Sequence, residues 1–332
     1  MIPNTCRAAR LERTGPIAEV LALAELPLAA PAPGEIAVKM RWAPVNPADI
    51  NFVEGMYGKK PELPAIAGLE GVGEVVALGA GVNGIGVGDL VRPVDGVGSW
   101  RSWAVAPAER FHRLPRLADL RQAAMLGVNP ATAWRLLHDV VRLQPGDWVV
   151  QNAANSGVGR CLIQLARALG LKTANLVRRP ELIPELTALG ADLVVLDGKD
   201  AAAQVATVCG KSAPRLAVNQ VGGDSALNLA KIVAAGGTVA TIGAMARQPV
   251  NVPAGLLIFK DLRFTGLWVT RWYQQAPAAE RDAMLAALGA HVEAGRLLQP
   301  IEAEYPLSRL AEAIAHARQD RRGGKILLDC QG

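Results

Sequence analysis

Two short stretches of this 332-residue chain carry side chains suited to chemistry. The first, Ile50 to Pro64, reads INFVEGMYGKKPELP and places Tyr57, one of three tyrosines in the chain, among Gly55, Gly58, Pro61 and Pro64. Glycine and proline at this density break helices and strands, so the tyrosine is expected on a surface or cleft loop with its hydroxyl available. The second, Gln151 to Arg160, reads QNAANSGVGR and lies between an apolar strand starting at Trp148 and a helix from about Val158. Ala154, Ser156, Gly157 and Gly159 allow close backbone approach and leave N–H groups free at the helix start, which is what a bound pyrophosphate requires. The literal G-x-G-x-x-G is absent, and taken alone the segment is equally an ordinary strand-to-helix turn.

The end of the next strand tips that balance. An NAD site carries an acid about 20 residues beyond its glycine turn to receive the ribose hydroxyls. Here the run is Asn175-Leu-Val-Arg-Arg-Pro180, with no acid. Arg178 and Arg179 stand where a ribose 2′-phosphate would lie, and guanidinium groups suit that dianion through charge-assisted, bidentate bonds. NADPH is thereby favoured over NADH. The plain alternative is that both arginines solvate a strand end ahead of Pro180.

Two kinds of element must position these groups. Up to about residue 120 the chain reads as short strands between Gly/Pro/Asp clusters, at Glu35 to Val45, Gly73 to Leu78, Asp89 to Val94 and Ser102 to Ala106. From about Asn129 the period changes, and apolar runs at Trp148 to Asn152, Thr173 to Val177, Leu193 to Leu196, Leu216 to Asn219 and Thr238 to Ile242 alternate with helical segments. That alternation predicts a doubly wound parallel sheet. A further apolar run at Phe264 to Val269, helices near Ala276 to Ala294 and Leu307 to Ala317, and a strand at Lys325 to Asp329 return the chain to the first domain.

Composition bounds the functional classes. A hydrophobic fraction of 51% with 20% charged residues describes a fully folded globular protein of two domains. The net charge of +5 is dispersed, with no Lys/Arg run longer than two, which favours anionic small molecules over nucleic acid. No apolar run is long enough to span a bilayer and no signal segment is evident, so no membrane is expected and the location reads as cytoplasmic. Cys6, Cys161, Cys209 and Cys330 are scattered and read as reduced packing thiols. His112, His138, His291 and His316 form no cluster at metal-ligand spacing and read as surface or capping residues.

With Gly68-Leu-Glu-Gly-Val-Gly73, NAANSGVG and Gly127-Val-Asn-Pro-Ala-Thr132, the chain resembles the medium-chain dehydrogenase/reductase superfamily over nearly its whole length. INFVEGMYG, QNAANSGVGR, NLVRRPE, LLIFKDL and GLWVTRW are together similar to the NADPH-dependent 2-enoyl thioester reductases of the mitochondrial type. The resemblance implies an α/β protein with a GroES-like, mainly β catalytic domain over residues 1–125, completed by 271–332, and a Rossmann NADPH-binding domain over 126–270. It also implies that zinc is absent, because Leu69 replaces the histidine ligand of the zinc alcohol dehydrogenases and no cysteine falls between Cys6 and Cys161. Polarisation of the acceptor must then come from hydrogen bonding or proton donation by a side chain.

The resemblance assigns that role to Tyr57 as proton donor, and a phenol carries its proton at neutral pH. It assigns Asn129 to the nicotinamide side, where an Asn-Pro turn is expected to present its amide, Asn155, Ser156, Gly157 and Val158 to the pyrophosphate turn, and Gly243, Ala244 and Met245 to the cofactor edge. Trp268 falls beside the nicotinamide and acyl pocket, where its alternative is core or interface packing, Lys325 falls on a cofactor phosphate or caps the last strand, and Asn46 is a polar contact near the active site. The family's Arg-Asp-Arg becomes adjacent arginines here. The implied reaction is reduction of trans-2-enoyl thioesters on CoA or acyl carrier protein, by a homodimer. Its rivals are a zinc-independent quinone or enone reductase and a cofactor-binding protein without turnover.

Overall fold

The computed structural model describes residues 1–94 and 96–332. The chain forms two compact units, one of Met1–Val128 with Ala278–Gly332 and one of Asn129–Pro277.

In the first unit the ten-residue strand Glu35–Pro44 buries Ile36, Ala37, Val38 and Met40, so both of its faces are covered. It is the centre of a seven-stranded sheet in the order Ile301–Pro306, Lys325–Asp329, Glu35–Pro44, Val72–Leu78, Leu90–Pro93, Phe111–Arg113, with Trp103–Pro107 also paired to it. The C-terminal strand joins this sheet through the register Leu327↔Pro44 to Asp329↔Trp42, which returns the tail to the first unit. A smaller sheet, Leu21–Pro27, Thr5–Leu11, Ala65–Ile66, flanks it. Trp100 is fully buried between them and donates its indole N–H to Pro44 O at 3.2 Å, so this large side chain is held by a directed bond as well as by packing.

The second unit is a six-stranded parallel sheet in the order Leu193–Leu196, Lys172–Val177, Trp148–Gln151, Leu216–Asn219, Thr238–Thr241, Arg263–Gly266. The order reverses beside Trp148–Gln151, and in an open parallel sheet ligands sit at the strand C-termini at such a switch point. The helix Gly157–Ala168 buries Cys161, Leu162, Ile163 and Leu165.

Three sequence expectations are corrected. The run expected as a strand over Phe264 to Val269 is a strand only over Arg263–Gly266; Leu267 N makes one last bond to the neighbouring strand, at Thr241 O, and Val269 opens the helix Val269–Gln275. Asn129 is not in a turn but is the first residue of the helix Asn129–Arg135, where Pro130 is tolerated because a first-turn N–H has no intrahelical partner. His112 is buried at 8% exposure instead of lying at the surface, and burial with the nearby Arg92 and Arg281 charges pushes its imidazole down to about 3. All four cysteines are buried and free.

Candidate functional site

In the second unit the switch-point loop is made without the expected glycine. Ala153 takes φ 45, the left-handed conformation that L side chains rarely occupy, and this turns the chain from Gln151 toward the helix. Ser156 then caps the helix, its Oγ accepting Gly159 N at 3.0 Å and donating to Gln220 Oε1 at 2.7 Å. Gly159 is required sterically, since a Cβ there would lie 2.4 Å from Ala154 O. Gly157 and Val158 occupy the first helical turn, whose N–H groups have no partner within the helix and carry the positive end of its dipole. Asn155 precedes the cap and its carbonyl accepts from Arg160 Nε at 3.1 Å.

The adjacent strand Lys172–Val177 runs in register with Trp148–Gln151 and delivers Arg178 and Arg179 at its C-terminal end. Arg178 is exposed, while the Arg179 side chain is 26% exposed and lies 3.7 Å from Glu181. Gly243, Ala244 and Met245 follow Thr238–Thr241, and Gly243 approaches Gln220 O so closely that a Cβ would sit 3.0 Å away. Ala244 and Met245 are exposed. A helix start with unpaired amides beside two guanidiniums at a neighbouring strand end is a donor set for a dinucleotide carrying an extra phosphate, so the residues fit NADPH.

Sequence reasoning missed the polar ladder under this crest. Asn152 accepts Gln220 N at 2.7 Å and donates to Asn219 Oδ1 at 3.0 Å and Ser225 Oγ at 2.8 Å, while Asp197 accepts from Asn228 at 2.8 Å and from Ser225. Its only trace in the sequence is Asn or Gln at apolar strand ends. Trp268, also in this unit, is half-buried and precedes the helix Val269–Gln275, whose Trp272 N donates to its carbonyl at 3.3 Å.

In the first unit Tyr57 lies in a bend four residues beyond the helix Pro47–Val53. It is half-buried and packs on the core that also holds Phe52 and Val53, so the loop reading holds for its backbone and not for its ring. Asn46, at the other end of that helix, belongs to a buried cluster. Its Nδ2 donates to Glu70 Oε2 at 2.9 Å, and its Oδ1 accepts from Lys325 Nζ. Lys325 opens the strand Lys325–Asp329, so the cluster, and not a strand end in solvent, engages its ammonium.

Two carboxylates complete the cluster, and neither was foreseen. Glu70, 1% exposed, accepts Val128 N at 2.6 Å; burial raises its carboxyl against the opposing charges of Lys325 and Arg92. Asp49, fully buried, accepts Asn46 N and Leu69 N, each at 2.7 Å. Burial pushes its carboxyl from 3.8 up to about 7, against those two amides, with Glu70 adding to the rise and Lys325 opposing it. A carboxyl raised in this way favours the folded state below pH 3.8, and that advantage is lost as pH rises through about 7. Between those limits the wild-type chain is therefore expected to lose up to about 1.4 kcal/mol of unfolding free energy per pH unit relative to Asp49→Asn. Urea melts of both proteins from pH 5 to 8 test this, and a pH-independent difference would contradict it.

Among the described residues no group of three His, Cys, Asp or Glu side chains converges as a metal site. No helix described is long and apolar enough to cross a membrane.

The family model of the alcohol dehydrogenase GroES-like domain matches residues 32–116, and that of the zinc-binding dehydrogenase matches residues 157–288. The order of these two modules, with the sheets described above, is that of a medium-chain dehydrogenase/reductase. The chain is 43% identical over 318 residues to the mitochondrial enoyl-(acyl-carrier-protein) reductase of Mus musculus, covering 94% of this chain and 85% of that protein. Among solved structures, the complex of Etr1p with NADP and crotonyl-CoA superposes with a TM-score of 0.90 at 29% identity, over 99% of this chain and 100% of that one. The mitochondrial 2-enoyl thioester reductase Etr1p/Etr2p heterodimer of Candida tropicalis gives a TM-score of 0.89 at 28% identity, over the same shares. The chain belongs to the enoyl thioester reductase family of this superfamily.

Proposed function

We propose that this protein reduces the 2,3 double bond of trans-2-enoyl thioesters, carried on CoA or acyl carrier protein, with NADPH as reductant. The observation that carries the reading is the 43% identity to an enoyl-(acyl-carrier-protein) reductase, which spans 94% of the chain and so takes in both units. The donor set at the switch point supports it.

In this reading Ser156 and the Gly157 and Val158 amides hold the pyrophosphate, Asn155 flanks it, and Arg178 with Arg179 takes the 2′-phosphate. Asn129, Gly243, Ala244 and Met245 line the rest of the cofactor, and Lys325 contributes its positive charge. The bound cofactor supplies the hydride to the β carbon. Tyr57 donates its phenolic proton to the α carbon, so hydride and proton together add one H2 across the double bond, and solvent returns the proton to the phenolate. Asn46 is the polar group near the active site, its amide held by Glu70 and Lys325, and the Trp268 indole offers the substrate an apolar wall. The first unit, read as residues 1–125 with 271–332, carries Tyr57, and the second, read as 126–270, carries the cofactor. The test is NADPH oxidation with crotonyl-CoA and longer trans-2-enoyl-CoAs beside a quinone; turnover of the quinone alone would replace this reading with the quinone reductase one.

The assembly is read as a homodimer. Arg263–Gly266 is the edge of the parallel sheet, and the helix Ala254–Phe259 exposes Leu257, Ile258 and Phe259 at 42%, 69% and 89%. Exposed apolar side chains beside an unpaired sheet edge suit a two-fold contact that covers both. Ile258→Glu with Phe259→Glu is expected to give a folded monomer by light scattering; an unchanged mass would discard this surface. A cytoplasmic setting is proposed with it; the four buried free cysteines fit any reducing compartment, and the Mus musculus relative named above is mitochondrial.

A further inference from the structure

We infer that Asp49 is a positioning residue for Tyr57, acting through the helix that joins them. This rests on the proposed role of Tyr57 in the reaction, but its physical content stands apart from that role.

The helix Pro47–Val53 is a short lever. Seven residues at about 1.5 Å each make it roughly 10 Å long, which is too short to hold its place by intrinsic helix stability. Its position is therefore set by tertiary contacts: Phe52 and Val53 packed in the core, and the bonds that grip its two ends. At the far end, Glu54 N donates to Ile50 O at 2.9 Å, Gly55 N to Phe52 O at 3.1 Å, and Met56 N to Asn51 O at 2.8 Å. These bonds bind the chain back onto the helix up to the residue before Tyr57, and Gly55 makes the reversal at φ 75. Tyr57 therefore moves with the helix.

At the near end, one carboxylate joins two backbones. Asp49 Oδ2 accepts Asn46 N, which fixes the helix start, and Oδ1 accepts Leu69 N, which ties that start to the turn preceding the central-sheet strand Val72–Leu78. The adjoining Glu70 repeats the tie through Asn46 Nδ2 and extends it to Val128 N, while Ser99 Oγ donates to Glu70 O at 2.5 Å. Burying a carboxylate is costly, and an aspartate kept fully buried beside a second carboxylate is far from what helix capping alone needs. Capping needs one oxygen, and the second is spent on Leu69. The charged groups facing Asp49 are Glu70 and Lys325, with Arg92 acting on Glu70.

The neutral isostere Asp49→Asn keeps one acceptor and loses the other, so the helix start stays capped or stays tied to the turn, but not both. Two measurements decide the inference. In the first, steady-state turnover is measured for wild type, Asp49→Asn, Tyr57→Phe and the double variant. Asp49→Asn is expected to lower kcat about tenfold with the KM for NADPH unchanged. The double variant is expected to match Tyr57→Phe alone, since a residue that works only through the phenol has nothing left to position. Losses that multiply would overturn the inference in favour of a general structural role.

The second measurement does not depend on activity. The chain has three tyrosines, so fluorotyrosine labelling gives three fluorine resonances, with that of Tyr57 assigned by Tyr57→Phe. Asp49→Asn should shift or broaden the Tyr57 line and leave those of Tyr273 and Tyr305 in place. A Tyr57 line that stays put overturns the inference, whether or not the wild type reduces enoyl thioesters; absent turnover with a moved line would instead discard the proposed function and keep the lever. Asp49→Glu, which retains the charge but overreaches Leu69, is read in the same way if Asp49→Asn folds poorly.

Discussion

Tyr57→Phe is expected to lower kcat on trans-2-enoyl-CoA by about a hundredfold while NADPH binds as before. The substitution removes one oxygen and keeps the ring that packs on the core with Phe52 and Val53, so neither the loop nor the unit has reason to unfold. What disappears is a donor held in place. Hydride delivery to the β carbon leaves a carbanion adjacent to the thioester carbonyl, and without the phenol that charge must wait for water. General acids at such positions contribute roughly 10² to 10⁴ in rate, so the lower end of that range is expected where solvent can substitute. Stopped-flow traces of NADPH consumption measure the effect, and fluorescence titration of the cofactor measures the control. Quinone reduction needs no proton at carbon, so the same variant should leave a quinone rate intact; an undiminished enoyl-CoA rate would remove Tyr57 from the chemistry.

How much of this could be read from the sequence depended on what each element owes to its own residues. Leu193–Leu196, Leu216–Asn219 and Lys325–Asp329 were visible as strands because short apolar runs bounded by Gly, Asp or Asn have few other uses. Thr5–Leu11 and Leu21–Pro27 were not, since TCRAARL and LALAELP are rich in Ala, Leu, Arg and Glu, all good helix formers. They become strands by pairing with each other from Thr5↔Pro27 to Leu11↔Leu21, a gain that lies in the partner and not in the residues. The site divides in the same way. Arg178, Arg179 and the Ser156 turn act locally, at a strand end and a helix start, and were legible. Asp49 and Glu70 carry no local signal, since burial of a carboxylate depends on partners that only the fold supplies, Leu69 N to one and Asn46 Nδ2 to the other across about 20 residues. The left-handed Ala153 hid the glycine fingerprint without removing the turn it encodes.

Replacing both Arg178 and Arg179 by alanine is expected to weaken NADPH binding about a hundredfold and to leave NADH binding nearly unchanged. Each hydrogen bond from a guanidinium to phosphate contributes about 1.5 kcal/mol or more, and about 1.4 kcal/mol corresponds to a factor of ten. Neither side chain is spent elsewhere to a degree that would cancel this. Arg178 is exposed, and the 3.7 Å pair of Arg179 with Glu181 joins it to a carboxylate that is 58% exposed, an arrangement contributing at most about 1 kcal/mol. Exposure also makes the effect depend on salt, so the two cofactors must be titrated at one ionic strength. Arg178 is exposed whereas Arg179 is half-buried beside Glu181, so the single variants are expected to lose unequal shares. Equal weakening of NADPH and NADH would mean that the arginines serve the shared pyrophosphate or the overall charge around the strand end. Recognition of a 2′-phosphate by these two residues, in place of the acid missing between Asn175 and Pro180, would then be discarded while the dinucleotide site at Ser156 remained.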